Sequence, residues 1–325
     1  MQKRSKRFGL IGIAVLVVCL AAAMFAVAGC APEPKKETSE PTLAPQDKEP
    51  TAKVTLPTEP FYALIVGNDS RADTAETPEG NPYSDTIMLA RIDPVNYQVT
   101  LVSVARDTQI WLGDEKVKMN EAYNRGGIQG LIEQVNALTG ADIKYYLDMG
   151  FADFIKFIDA LGGVNVNVPV PMDFKDVMSS DKIYLDEGDQ HLDGRAALVF
   201  SRVRKIFASE GEACRQTDDR SVVSSLLHSV ASNPDAVKKA VDSLLENAET
   251  NWPKEELEAL VADFAAHGDQ LKVLAGAGPY WTDLDPDTQL YMATRDEETW
   301  RQVMDVVNAG GDPNEVVTTP DLVLG

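Results

Sequence analysis

The chain has 325 residues and a net charge of −21, and 44% of its residues are hydrophobic. This length and apolar content are sufficient for one sizeable domain with a buried core. An acidic surface repels nucleic acid and anionic lipid, so the composition excludes a nucleic-acid-binding protein. An anionic substrate can bind such a chain only through a local group of positive side chains.

The first 29 residues are predicted to be a targeting segment. The chain opens with MQKRSKR, which contains four positive charges, and continues with an apolar run over 8–28. About 20 apolar residues can span a bilayer, so one interpretation is a single uncleaved anchor with its basic end in the cytoplasm. In the other, residues 27–30 (VAGC) form a lipoprotein cleavage site and Cys30 is lipidated. Both interpretations place the remaining chain on the extracytoplasmic face of the cell membrane.

Small residues before Cys30 and a polar segment after it favour the lipoprotein, whereas the length of the apolar run favours the anchor. Residues 30–58 are rich in Pro, Glu and Lys and lack large apolar clusters, which is typical of an extended linker. We expect one extracytoplasmic domain over 59–309 and a flexible tail over 310–325. Cys214 is the single cysteine of that domain, so no disulfide forms within it, and we interpret it as a structural thiol.

A predicted β-hairpin brings several charged residues to one edge of the fold. Residues 61–67 form a short apolar run that ends in Gly-Asn-Asp, as expected for a buried strand that leads into a loop. Residues 86–93 and 98–107 have the composition of two further strands, joined by a Pro-containing turn. Antiparallel pairing of these two strands would place Asp85 beside the pair Arg106 and Asp107, close to Asp69.

The rest of the domain is predicted to alternate between helices and strands. The apolar spacing and the glycines that follow indicate helices ending at Gly140 and at Gly162, with strands over 143–149 and 164–170. Helices are also expected over 192–203 and 222–230. The segment 234–304 is predicted to be mostly helical, with one break over 276–279. This alternation indicates an α/β fold with helices covering the faces of a central mixed sheet.

Arginines and aspartates are concentrated in a few short segments of this acidic chain. Eleven arginines lie outside the leader, and five of them lie between Arg195 and Arg220. Arginine recognises phosphate in a fixed, forked geometry, and aspartate oxygens are ligands that Mg²⁺ prefers. Each group taken singly could also be a turn cap, a surface ion pair or a favourable helix end. Together they predict a metal–pyrophosphate site.

Seven segments, in this order, resemble the LytR-CpsA-Psr family of extracytoplasmic phosphotransferases. The resemblance extends over about 61–230 and weakens towards 304. The matching segments are GNDSR (67–71), YSDTIML (83–89), VSVARDT (102–108), KMNEAYNRGG (118–127), IKYYLDMGF (143–151), DALGGVNVNV (159–168) and HLDGRAALVFSRVRK (191–205).

The resemblance implies an α/β/α sandwich with a hydrophobic tunnel for a polyprenyl lipid. It also implies the transfer of a glycopolymer from a polyprenyl-pyrophosphate carrier to cell-wall peptidoglycan. Mg²⁺ is the implied cofactor, with Mn²⁺ as the alternative ion, and the partners are the carrier-linked glycan, peptidoglycan and the membrane. The implied metal ligands and catalytic groups are Asp69 and Asp85, and Asp107 orients an arginine or accepts the acceptor's proton. The implied pyrophosphate ligands are Arg71, Arg106, Arg202, Arg204, Arg215 and Arg220, of which Arg106 also has a catalytic role.

Two departures from the family pattern bear on activity. Tyr83 stands where the family usually has arginine, and Asp218 also occupies an arginine position, with Arg220 displaced by two residues. Two alternatives to the transferase stay open. One is a non-catalytic wall protein that binds polyprenyl lipid, which these departures allow. The other is a polyprenyl-pyrophosphate hydrolase or pyrophosphatase, because no motif identifies the acceptor. The leader and the acidic composition argue against a transcription regulator.

Overall fold

The structure is a computed structural model that describes residues 54–70, 81–179, 181–204, 211–233 and 237–318. Its strands are β1 (Phe61–Asn68), β2 (Ser84–Asp93), β3 (Gln98–Ser103), β4 (Gln109–Leu112), β5 (Glu115–Lys118), β6 (Ile143–Met149), β7 (Val164–Val168), β8 (Met172–Lys175), β9 (Lys182–Leu185), β10 (Gly188–Leu192), β11 (Glu249–Thr250), β12 (Lys272–Ala277), β13 (Thr282–Leu284) and β14 (Tyr291–Ala293). Its α-helices are α1 (Met119–Thr139), α2 (Phe151–Leu161), α3 (Gly194–Phe200), α4 (Gly211–Ala231), α5 (Val237–Asn247), α6 (Lys254–Ala266) and α7 (Glu297–Asn308).

Six strands form a central mixed sheet in the order β11-β6-β1-β2-β3-β12. The segment β1-β2-β3 is an antiparallel meander, while β6 lies parallel to β1 and β12 lies parallel to β3. The β2–β3 turn is held by Asp93, whose carboxylate accepts the backbone amides of Val95 and Asn96. The predicted mixed α/β fold, including this hairpin, is therefore confirmed.

Alternating side chains of the central strands pack against helices on both faces of the sheet. On the first face, Leu64 and Leu89 belong to a core cluster that includes residues of α1 and α7. On the second face, Met88 and Leu101 pack with residues of α4 and α6, and Ala63 packs with residues of α5 and α6. A separate cluster joins α2, α3 and the four short strands β7 to β10. The second face, together with α2, forms the walls of the candidate site.

The helices α1 and α2 end at the glycines that the sequence predicts as their C-terminal ends. Gly140 follows α1 and Gly162 follows α2, and both adopt the left-handed conformation that glycine adopts most readily. The helix predicted over 192–203 is shorter, because Asp193 caps it and accepts the amide of Ala196. Residues 313–315 form a short 3-10 turn, and Val317 is buried in the first core cluster.

The prediction of a mostly helical segment over 234–304 is wrong. This segment contains β11, β12 and the hairpin β13–β14 as well as α5, α6 and part of α7. The expected break at 276 is not a helix break, because Gly276 lies in β12 and pairs with Val102 of β3. The strand predicted over 98–107 also ends early, at Ser103, where the chain turns.

The predicted leader and most of the linker lie outside the described residues, and so does Cys30. The predicted boundaries of the linker, domain and tail stay predictions. Within the described ranges, no helix combines the length and the apolar content that a membrane crossing needs. Cys214 is buried in the cluster that joins α2, α3 and the strands β7 to β10, as a structural thiol would be.

Candidate functional site

A β-bulge at the start of β2 directs two adjacent side chains into one cavity. The β1–β2 register pairs Gly67 with Thr86 and Asn68 with Ser84, so Asp85 has no partner. Consecutive side chains of a regular strand point to opposite faces, but a bulge reorients one of them. Asp85 and Thr86 accordingly both line the same cavity.

Two arginines from distant parts of the chain bind Asp85. Arg106, in the turn after β3, donates to one carboxylate oxygen. Arg202, directly after α3, donates from Nη1 to the other oxygen at 2.5 Å. Burial opposes ionisation of Asp85, but the charges of Arg202 and Arg106 outweigh it and lower the pKa of Asp85. Asp85 is therefore ionised at neutral pH and holds two positive groups in the cavity.

Both arginines retain a donor that no described residue accepts. The buried Nε atoms of Arg106 and Arg202 have no hydrogen-bond acceptor within the described part of the chain. The Arg202 guanidinium also lies over the ring of Phe151, at 4.2 Å from the ring centroid, which fixes its plane. Buried donors are nearly always satisfied, so this pair of donors indicates a place for an anionic ligand.

A second charged group lies on the helix side of the same cavity. Arg215 of α4 forms an ion pair with Asp219 at 2.6 Å, and Thr86 donates to the same Asp219 oxygen at 2.9 Å. Arg204 also lines the cavity. Asp219 and Thr86 were not among the sequence candidates. The four-residue spacing between Arg215 and Asp219 on a helix is the signal that could have identified Asp219.

Asp69 and Asp107 adjoin this end of the cavity without lining it. Asp69 extends the β1–β2 pairing, because its amide donates to the carbonyl of Tyr83 at 3.0 Å and its carboxylate accepts the amide of Tyr83 at 2.7 Å. Asp107 forms an ion pair with Lys118 at 2.9 Å and approaches Arg106 Nε at 4.0 Å. The expected proximity of Asp69, Asp85 and the pair Arg106–Asp107 at one sheet edge agrees with this pairing.

The structure does not bring Arg220 into the cavity. Arg220 is buried, and its guanidinium donates to Ser103 Oγ and Thr217 Oγ1, each at 2.9 Å. Five residues along a helix correspond to a rotation of about 140° relative to Arg215, which explains why the two arginines diverge. Arg71 lies outside the described residues.

The departure at Asp218 places a carboxyl group among these buried charges. Its side chain is buried, and Oδ2 has no hydrogen-bond partner in the described residues. Burial and the neighbouring charge of Asp219 raise the pKa of Asp218 to about 8, against the opposing effect of Arg215 and Arg220. Asp218 is therefore largely protonated at neutral pH and does not add a full negative charge near the arginines.

The cavity extends from the arginine cluster into the interior between the sheet and α2, α4, α5 and α6. Its volume is about 330 Å³, within the roughly 300–1,000 Å³ typical of ligand sites. Beyond the charged end, the lining side chains are apolar and come from the second face of the sheet and from these helices. They include Ile65, Phe154, Val223, Leu227, Leu260 and Phe264. The arrangement suits a ligand with an anionic head and a long apolar tail.

No cluster of three or more His, Cys, Asp or Glu residues is placed to hold a metal ion within the described ranges. Mg²⁺, however, is commonly bound through one or two carboxylates and completes its shell with substrate phosphate and water. Asp85 lines the charged end of the cavity, and Asp69 adjoins that end where its pairing with Tyr83 extends the β1–β2 ladder. This pair of oxygen donors fits an ion that arrives together with a phosphate ligand.

Comparisons with known proteins show which family the chain is similar to. The LytR_cpsA_psr family model matches residues 31–292. The chain is 31% identical over 205 residues to TagV of Bacillus subtilis, named a polyisoprenyl-teichoic acid–peptidoglycan teichoic acid transferase; the match covers 61% of this chain and 51% of TagV. TagU of Bacillus cereus, which has the same descriptive name, is 27% identical over 262 residues, covering 79% of this chain and 82% of TagU.

The fold is also similar to a solved structure. The crystal structure of Bacillus subtilis TagV aligns with a TM-score of 0.65 and 26% identity, covering 79% of this chain and 100% of that chain. The aligned sequence itself spans about half the length of TagV. Because the family model matches well over half of the sequence, the chain belongs to the LytR-CpsA-Psr family.

Proposed function

We propose that this protein transfers a glycopolymer from a polyprenyl-pyrophosphate carrier to peptidoglycan. The observation that supports this most strongly is the continuity between a deep apolar cavity and a cluster of arginines and aspartates at its end. The descriptive names of TagV and TagU supply the substrate class, since both are named for a polyisoprenyl donor and a peptidoglycan acceptor.

The cavity separates the two chemical halves of such a donor. The polyprenyl tail would lie between the sheet and α4 to α6, where the lining is apolar. The pyrophosphate would lie against Arg106 and Arg202, whose Nε donors have no acceptor among the described residues. Arg204 and Arg215 also line the positive end. This arrangement supports a lipid tunnel that has a phosphate-binding end.

The reaction requires little covalent chemistry from the protein. The acceptor hydroxyl oxygen bonds to the phosphorus that bears the glycan, and the bond from that phosphorus to the bridging oxygen breaks. Polyprenyl monophosphate leaves, and the product is a phosphodiester. The arginines stabilise the charge that develops on the phosphate oxygens. Asp107, which pairs with Lys118 and approaches Arg106, would orient that arginine or accept the hydroxyl proton.

We further propose that the reaction depends on Mg²⁺, with Mn²⁺ as a substitute. Asp69 and Asp85 would hold the ion. When bound, it would neutralise phosphate charge and polarise the bond to the leaving group. Asp85 would then share its oxygens between the ion and the arginines that already donate to it.

The proposed location follows from the leader sequence. A basic start and an apolar run over 8–28 support attachment to the cell membrane with the domain on the extracytoplasmic face. Attachment occurs through lipid on Cys30 or through a single anchor helix. Intact-mass measurement of the membrane-extracted protein distinguishes them, because only cleavage before Cys30 removes 29 residues and adds lipid.

The proposal is tested by incubating the full chain in detergent with a labelled polyprenyl-pyrophosphate glycan and purified peptidoglycan. Parallel reactions contain Mg²⁺ or a chelator. We expect label to enter the peptidoglycan only when metal is present. Release of label into solution alone would instead indicate a hydrolase. Tight lipid binding without turnover would indicate a non-catalytic lipid-binding protein.

A further inference from the structure

Exposed aromatic side chains cluster on two neighbouring hairpins. Among the described residues, eight large apolar side chains are exposed, and five of them lie on or beside the β4–β5 and β13–β14 hairpins. These five are Trp111, Trp281, Leu284, Leu290 and Tyr291. The chain has four tryptophans, of which Trp252 and Trp300 are buried. Contiguous exposed apolar side chains on an otherwise acidic surface commonly mark an interaction site.

The two hairpins, here called the aromatic hairpins, are joined to each other by charged contacts. Lys116 of β5 forms ion pairs with Asp285 at 2.9 Å and Asp287 at 2.7 Å, both in the β13–β14 turn. Lys116 also lies 5.8 Å from the ring centroid of Trp111. These contacts fix the turn of one hairpin against a strand of the other.

The aromatic hairpins are also fixed to the segment that contains Arg106 and Asp107. The amide of Ala293 in β14 donates to the carbonyl of Asp107 at 2.9 Å, and Thr108 forms a β-bridge with Ala293. From the other hairpin, Lys118 pairs with the Asp107 carboxylate. The β13–β14 hairpin therefore binds the backbone of Asp107, and the β4–β5 hairpin binds its side chain.

We infer that the aromatic hairpins bind the glycan strand of the acceptor peptidoglycan. This inference rests on the proposed function and names a binding surface for its second substrate. The donor occupies the interior cavity, so the acceptor has to approach Asp107 from the outer surface. The aromatic hairpins are the elements bonded directly to Asp107 on that approach.

The chemistry of the surface matches a sugar chain. Pyranose rings present an apolar C–H face that packs on aromatic rings, and their hydroxyls donate hydrogen bonds. Leu284 and Tyr291 are directly opposite in the β13–β14 ladder and so share one face. Asp287, in the β13–β14 turn, adds an exposed carboxylate that can accept from hydroxyls. The same carboxylate repels an anionic lipid surface, which disfavours the membrane as the occupant.

The test uses three variants of the full chain and one matched control. The variants are Tyr291→Ala and Trp281→Ala, separately and combined. The control is Tyr184→Ala, because Tyr184 is 63% exposed and Tyr291 is 66% exposed, but Tyr184 lies on the separate β8–β9 hairpin. Thermal unfolding of each variant verifies the fold.

Two measurements are made on each protein: cosedimentation with purified peptidoglycan sacculi, and label transfer at increasing sacculus concentration. We expect the combined variant to raise the half-saturating sacculus concentration roughly tenfold. The transfer rate at saturating sacculi and the binding of the labelled donor should be unchanged. Tyr184→Ala should match the natural protein.

Equal sacculus binding by all proteins would overturn the inference, as would a similar loss in Tyr184→Ala. A shift from dimer to monomer in the hairpin variants without a change in sacculus binding would assign the surface to a second copy of the chain. Cosedimentation measures binding to sacculi and does not require the protein to catalyse transfer. Specific sacculus binding without any label transfer would therefore contradict the proposed function while supporting the binding surface.

Discussion

Asp85 is ionised in a partly buried position because Arg106 and Arg202 each form an ion pair with one of its carboxylate oxygens. Breaking such a pair by removing one partner leaves an uncompensated charge, so the three residues depend on one another. The same arrangement keeps Arg106 and Arg202 in fixed positions before any ligand binds. Prepositioned donors cost little reorganisation when phosphate arrives, which is the condition for strong electrostatic stabilisation.

Only part of this site could be predicted from residues alone. Hairpin pairing predicts that Asp85 and Arg106 are close, because both lie at one end of adjacent strands. Arg202 is 117 residues from Asp85, and its position was implied by the family resemblance. The bulge that turns Asp85 and Thr86 into the same cavity has no recognisable sequence signal here. Asp219 pairs with Arg215 and accepts from Thr86. The contact with Thr86 depends on how α4 packs against β2, which the sequence does not specify.

Asp218 makes stability dependent on pH. The folded protein keeps the Asp218 proton up to about pH 8, whereas the unfolded chain releases it near its ordinary value of 3.8. Folding therefore takes up a proton between these values, and the free energy of unfolding falls as pH rises across this window. We expect Asp218→Asn to be more stable than the natural protein at pH 8 by about 1–3 kcal/mol.

The difference should fall to about 0.5 kcal/mol at pH 4, where folded Asp218 is protonated and the unfolded chain, close to its ordinary value of 3.8, is partly protonated. Urea unfolding of both proteins at pH 4, 6 and 8 measures it. A stability difference that stays constant across this range would show that Asp218 is ionised in the folded state, contrary to its burial beside Asp219.

At the scale of elements, the close approach of α2 and α3 forms one wall of the cavity. Gly194, the first residue of α3, has no side chain, and a Cβ there would lie 2.3 Å from the carbonyl oxygen of Ile155 in α2. Its amide also donates to Asp159 of α2 at 2.7 Å. Phe154 and Phe157 on α2 line the cavity, so displacement of α2 would reshape it.

We therefore expect Gly194→Ala to lower the free energy of unfolding by about 1–3 kcal/mol, because a backbone collision cannot be relieved by a side-chain rotation. Chemical denaturation measures the change. Gly126→Ala is the matched control, since a Cβ at Gly126 meets no atom within 4 Å. If both substitutions had the same effect, the contact between α2 and α3 would not be tight.

Elements with strong local signals were predictable, and elements defined by distant contacts were not. The helices α1 and α2 combine apolar spacing with a terminal glycine, and both end where those glycines predict. The strand β12 contains Ala275, Gly276 and Ala277, which have no strand preference. It becomes a strand because it pairs in parallel with β3, from which it is separated by the six helices α1 to α6 and the strands β4 to β11.

At the scale of the whole molecule, an acidic protein concentrates positive charge at the mouth of an apolar interior. Anything that binds the folded state alone stabilises it by mass action. We expect polyprenyl monophosphate at a hundred times its dissociation constant to stabilise the full chain in detergent by about 2.7 kcal/mol. The corresponding polyprenyl alcohol at the same concentration should stabilise the protein less, because it does not bind the arginines and therefore has a higher dissociation constant.

Thermal unfolding with each lipid measures this difference. An equal shift for the alcohol and the phosphate would mean that the arginine cluster takes no part in lipid binding. The absence of a shift with either lipid would mean that the apolar cavity does not hold a polyprenyl chain.

The most direct test of the arginine cluster is the rate of glycopolymer transfer by Arg202→Ala at saturating donor and acceptor. The control is Arg301→Ala, since Arg301 lies on α7 and pairs only with exposed carboxylates there in the described structure. We predict a loss of roughly 100-fold or more for Arg202→Ala, because a charged donor to the transferring phosphate is removed, and no loss for Arg301→Ala. Transfer by a folded Arg202→Ala protein at the rate of the natural protein would contradict the assignment of the phosphate site.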